Sequence, residues 1–232
     1  MTHHKKPTGE IGTLSVPAAS DADPFSRVKF PGSKAEIEGL ILRVTLATLE
    51  KEGASLPWPA RPVQNPENHF DFTIPESPPE YLDLIEVALL PSGTKYQGAQ
   101  LVYNHGERAD AVWTELTQKA LSYGRPGGRR IHLLLYSTDF AFRLSEEVLL
   151  ILSYYLRTSD RGLTTVTYAV PWDTELASVS VVHPRRVGDF DGFSLQRARA
   201  RQSRIADLTS AVVDPNGGIR LSFPPVRRSG NW

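Results

Sequence analysis

The sequence predicts an α/β fold, a small mixed sheet flanked by helices, and three observations carry that reading. Segments from about residue 70 to 170 run strand, strand, helix, strand, helix, strand. RIHLLLYS, residues 130–137, is a nearly continuous apolar run between breakers, as expected of a strand covered on both faces. Ala109, Val112, Trp113, Leu116, Ala120 and Tyr123 form one apolar stripe, as a helix over about 108–123 requires.

Taken in order, residues 1–30 are rich in Pro, Ser, Thr, Asp and His without a sustained period, so a flexible N-terminal arm is expected. PGSK at 31–34 then breaks the chain and starts a helix. Ser33 with Glu36 matches a capping box. Ile37, Leu40, Ile41, Val44 and Thr48 recur at helical spacing, and Gly53 is a natural stop, which predicts a helix over 34–51. Pro57, Pro59, Pro62 and Pro66 make 54–68 a surface loop. HFDFTI (69–74) and YLDLIEVALL (81–90) read as strands that pair antiparallel across a short turn. AQLVY (99–103) is a further short strand or loop. RPGG at 125–128 ends the helix over 108–123. Ser145, Glu146 and Glu147 open the next helix, to about Arg157, with acids placed to favour its dipole. LTTVTYAV (163–170) is a β-branched strand, parallel to 130–137 in a right-handed unit. SVSVV (178–182) reads as an edge strand, and SLQRARARQSRIADL (194–208) as a basic helix. This divides the chain into an arm (1–30), a core domain (31–170) and a C-terminal extension (171–232) that packs on the core.

With 232 residues, 40% hydrophobic and 22% charged, the chain has ordinary globular composition and enough length to bury a core. It has no cysteine, which excludes disulfides, cysteine metal sites and thiol catalysis. MTHHKKPTGE is not a signal peptide, and no apolar run approaches the ~20 residues that span a bilayer. A cytoplasmic protein without a membrane partner is expected. Net charge is zero but uneven: residues 185–232 hold nine Arg and four Asp, leaving an acidic body with a basic end. Such an end suits nucleic acid, the chain's own body or an acidic partner.

The chemistry-bearing candidates are acids inside strands. A carboxylate in an apolar strand is costly unless paired or used. Asp71 stands in HFDFTI, and Asp83 and Glu86 stand in YLDLIEVALL. Asp83 and Glu86 differ by three, so they point to opposite faces unless a bulge intervenes. Asp71 must therefore pair with one or the other. ELTQKALSYGRPGGRRIHLLLYS adds Lys119 and Tyr123, near the end of a helix that leads into an apolar strand.

With this order of elements, residues 34–170 resemble the PD-(D/E)xK nuclease superfamily, whose restriction-endonuclease-like core packs an early helix on a small mixed sheet. The resemblance implies Asp71 as the first acid and Asp83, or Glu86 in the alternative frame, as the second. It implies Glu36, or less favourably Glu38, as the helix glutamate. Asp71 and Asp83 would then hold magnesium and activate water on a phosphodiester. The family's lysine lies two residues after the strand acid, where this chain has Ile85 or Ala88. Lys119, displaced onto the helix, or Lys95 would have to replace it.

Other features carry less. His69, His105, His132 and His183 lack metal-ligand spacing, and His132 in its apolar strand reads as a satisfied core histidine. Ser137, Thr138, Asp139 and Asp173 follow strand ends, where caps and ligand crevices both occur. No GxGxxG, P-loop or GxSxG motif is present. Arg197, Arg199, Arg201 and Arg204 are the candidate nucleic-acid contacts, although their spacing spreads them around a helix. Two functions stay open: a degenerate metal-dependent nuclease, or nucleic-acid-binding relative, acting on DNA or RNA, and a non-catalytic scaffold that binds a protein through its arms and basic end.

Overall fold

A computed structural model describes residues 10–14, 25–65, 70–88, 95–97, 100–123, 129–138, 142–159, 161–171, 174–206, 211–213 and 219–221. Strands β1 (Glu10–Leu14) and β2 (Phe25–Lys29) pair antiparallel. The expected arm thus contains a two-stranded ribbon. Main-chain pairing joins its two strands, in a segment where the sequence shows no sustained period.

Helix α1 spans Lys34–Lys51, as the sequence predicts. Ser33 caps it, accepting from the Glu36 N–H, while the Glu36 carboxylate reaches back to Ser33 N–H and Oγ. Gly53 ends the helix at φ +64°, a conformation that favours glycine.

The main sheet is mixed and has six strands: β3 (Val63–Gln64), β4 (Phe72–Ile74), β5 (Glu80–Glu86), β8 (Ile131–Tyr136), β9 (Leu163–Pro171) and β10 (Ala177–His183). Its order is β10-β9-β8-β5-β4-β3. β5, β8 and β9 run parallel, and the pairs at both flanks are antiparallel. β8 is buried along its whole length, in keeping with its apolar run. β10 belongs to this sheet, so the sheet extends past residue 170.

Between β5 and β8 the chain forms β6 (Lys95–Gln97), β7 (Gln100–Asn104) and helix α2 (His105–Ser122). α2 starts three residues earlier than its stripe suggested, because the Asn104 side chain accepts from the Glu107 N–H at 3.0 Å. Helix α3 (Glu146–Thr158), capped by Ser145, links β8 to β9. α1 packs on one face of the sheet, against Phe72, Ile74, Leu82, Leu84, Leu134 and Tyr136. α2 and α3 pack together on the other, against Leu133, Leu135, Val166 and Tyr168.

The expected basic helix over 194–208 is corrected. Helix α4 holds only Leu195–Ala200, and β11 (Gln202–Ala206) follows. Arg201 turns extended, its carbonyl accepts from the His105 N–H at 2.9 Å, and β11 pairs with β7. Competing strand pairing therefore ends the helix. Strands β12 (Ala211–Val213) and β13 (Ile219–Leu221) form a hairpin across the expected turn at 215–218, which itself lies outside the described residues. Asp139 and Asp173 also lie outside them, as does His69. No helix among the described residues is long and apolar enough to cross a membrane.

Candidate functional site

The antiparallel β4–β5 register pairs Phe72 with Leu82. One step further on, Asp71 lies beside Asp83, and its N–H donates to Asp83 Oδ1 at 3.3 Å. Asp71 Oδ2 in turn accepts from the Leu84 N–H at 2.8 Å. Strand alternation sends Leu82 and Leu84 towards α1, and so sends Asp83 towards α2. There the last turns of α2 bring two partners to one carboxylate oxygen. Lys119 Nζ stands 2.7 Å from Asp83 Oδ2, and the Tyr123 hydroxyl donates to the same atom at 2.5 Å. Asp83 is fully buried, whereas the Lys119 side chain keeps 33% of its exposure.

Two carboxylates placed side by side cannot both ionise cheaply. Burial, and then the adjacent Asp83, push the Asp71 carboxyl up to about 7. Burial acts upward on Asp83 too, but hydrogen bonds from Asp71, Lys119 and Tyr123 outweigh it and hold Asp83 below the usual carboxylate range. Below about pH 7 the pair therefore shares one proton, held mainly on Asp71. Burial and the Asp83 charge raise the Tyr123 hydroxyl, which remains a donor.

Helix α1 contributes a third acid. Glu36, the favoured helix glutamate, is exposed and occupied in the capping box. Glu38 is the buried one, at 4% exposure, and Lys34 Nζ sits 3.1 Å from its Oε1. Burial raises the Glu38 carboxyl and Lys34 partly offsets this. The sequence did carry a signal for Glu38: it follows Ile37 inside the apolar stripe, four residues after Lys34.

Glu86 is not brought to this cluster. It accepts from Thr138 Oγ1 at 2.6 Å, and it lies on the opposite face from Asp83, as the strand parity required. Lys95 lies on β6, in a separate three-stranded sheet with β7 and β11. His132 is a satisfied core histidine: Nδ1 is 2.8 Å from Thr165 Oγ1 and Nε2 is 2.7 Å from Glu80 Oε2. Glu80 also accepts from Arg130 at 3.1 Å, a network the sequence reading did not single out.

The four arginines do not form one surface. Arg199 is held by Asp110 in a two-pronged pair, with both contacts at 2.7 Å, and also bonds the Tyr155 hydroxyl. Arg201 lies 3.7 Å from Glu147. Arg197 is exposed, and Arg204 is on β11, where only the backbone is described.

Magnesium fits this arrangement poorly. Asp83 Oδ1 receives the Asp71 N–H, and Oδ2 receives both the tyrosine hydroxyl and the lysine ammonium. The cation these carboxylates hold is Lys119. Among the described residues no three His, Asp or Glu side chains gather as a metal-ion set. Compared with protein-family models, with curated proteins and with solved structures, the chain matches none.

Proposed function

We propose that this chain is a nucleic-acid-binding protein on a nuclease-like core, whose acid–lysine centre locks the fold and no longer cuts phosphodiesters. The saturation of Asp83 carries this reading. A buried carboxylate with a full set of protein donors is a structural counter-ion. To cut, it would have to release Lys119 and Tyr123 and take up a hard cation in their place.

Charge placement supports a polyanionic partner. The acids Glu38, Glu80 and Asp83 are buried, while cations surround them on the outside. Lys34 and Arg130 have 72% and 67% exposed side chains, Arg129 is exposed and Lys119 partly so. An approaching phosphate backbone meets these cations before it meets the buried carboxylates Glu38, Glu80 and Asp83. Arg199 is matched by Asp110, a carboxylate whose side chain is itself 48% exposed, so that pair presents no excess positive charge. The contact face is therefore the sheet end that carries Lys34, Lys119, Arg129 and Arg130, not the C-terminal arginines.

The test measures binding and cleavage side by side. Labelled single- and double-stranded DNA and RNA are titrated at several salt concentrations, then incubated with magnesium and with manganese. The expected result is binding that weakens with salt, weaker still in an Arg129→Ala, Arg130→Ala double variant, with no metal-dependent cleavage. Cleavage that disappears in an Asp71→Ala, Asp83→Ala double variant would make the centre catalytic and overturn the proposal. Absence of binding at low salt would overturn it from the other side.

A further inference from the structure

We infer that the nucleic acid is single-stranded and that its bases stack on an aromatic ladder beside the acid–lysine centre; this rests on the binding reading above. The ladder is Tyr81, Phe70 and Tyr123. The Phe70 and Tyr81 centroids are 4.5 Å apart at 23°, and those of Phe70 and Tyr123 are 4.9 Å apart at 32°. A cation stands at each end: the Arg129 guanidinium lies 6.0 Å from the Tyr81 ring centre, and Lys119 Nζ lies 5.9 Å from that of Tyr123.

The ladder is not simply core. Phe70 and Tyr81 belong to neither of the two large hydrophobic clusters on the faces of the sheet, while Tyr123 packs against one of them. Tyr81 and Tyr123 are only partly buried. The ladder therefore runs from the core edge at Tyr123, through buried Phe70, to a partly open end at Tyr81, with its flat rings bracketed by positive charge. That combination is complementary to an unpaired nucleotide, which offers a π-face and a phosphate together. A duplex keeps its base faces inside the stack and presents backbone and groove edges to such a surface, with no π-face to stack on it. Arg129 is exposed and is held over Tyr81 by a ring contact, so it can move to a phosphate while a base takes its place on the ring.

Tyr81 is the residue to test, because Tyr123 is tied to Asp83 and Phe70 is buried. Fluorescence anisotropy with labelled oligothymidylate and oligouridylate of roughly 16 nucleotides, and with a duplex of equal length, would be read in EDTA so that cleavage plays no part. The single strands are expected to bind more tightly than the duplex. Tyr81→Ala should weaken them roughly five- to a hundred-fold and leave the duplex unchanged, and Tyr81→Phe should restore wild-type binding. Thermal melting checks that the variants fold, and Tyr81→Leu carries the same readout if the alanine variant does not. Equal affinity for single strand and duplex, or a folded Tyr81→Ala that binds single strands like wild type, overturns the inference and leaves the binding reading standing. Failure of every oligonucleotide to bind ends both.

Discussion

Replacing Asp71 by Asn tests the shared proton directly. The Asn side chain copies the protonated acid: its oxygen can accept from the Leu84 N–H, and its amide can donate to Asp83. In the wild type, the Asp71 carboxyl rises on folding from 3.8 to about 7. The folded state therefore binds the proton more tightly than the unfolded chain. Its contribution is fully present below about pH 4 and is lost as pH climbs through about 7. Roughly three pH units at about 1.4 kcal/mol each set an upper bound of ~4 kcal/mol. Water reaches part of Asp71, and screening reduces this to about 1–2 kcal/mol. Asp83 acts in the opposite sense, because its depressed carboxyl stabilises the fold above its unfolded value and is lost only at lower pH. Burial also lowers His105, His132 and His183, so their contribution grows as pH rises. Only the difference between wild type and Asp71→Asn isolates the carboxyl pair. Urea denaturation at pH 4, 5, 6, 7 and 8 should find the two alike at pH 4, with the Asn variant gaining through pH 5 and 6 and more stable by about 1–2 kcal/mol from about pH 7 upward. Two stability profiles that run parallel across this range would refute the shared proton.

Two further outcomes are expected. Lys119→Met leaves Asp83 with Tyr123 and the Asp71 N–H but without its ammonium, and should cost about 2–3 kcal/mol in denaturant unfolding. Adding Asp83→Asn should recover part of that loss, and strict additivity of the two changes would contradict the pairing. Ser33→Ala removes the cap of α1 and should cost about 1 kcal/mol, with a loss of helical circular dichroism confined to the same transition.

What the sequence conveyed depended on the range of the interactions involved. α1 was legible to the residue because Ser33, Glu36 and the stripe from Ile37 to Thr48 are all local signals. β8 was equally plain, since an uninterrupted apolar run has few other uses. Strand parity correctly separated Asp83 from Glu86, and Lys119 and Tyr123 stood out near the end of the helix that leads into β8. The partner of Lys119 was a different matter. Asp83 Oδ2 is reached from 36 positions away in the chain, and only the folded β4–β5 hairpin brings Asp71 alongside. The family resemblance put Glu36 ahead of Glu38 as the functional helix acid. Its position at the helix start made it the capping residue and left the buried role to Glu38. Past residue 194 local propensity misled, since an Arg- and Ala-rich run favours helix but β7 was waiting to pair.

The two ends of the main sheet have a consequence for how molecules of this protein meet each other. A sheet edge presents unpaired main-chain groups to any other strand that arrives. Here one edge is β3, two residues long and followed closely by Pro66. The other is β10, whose pairing with β9 slips between Val181 and His183 before Pro184 interrupts the backbone donors. β3 is too short to template a partner and β10 loses its register next to Val181, so Val63 and Val181 can stand exposed without recruiting a neighbouring chain. Crowded molecules should therefore stay separate at the sheet edges even when their net charge of zero gives them no electrostatic reason to keep apart.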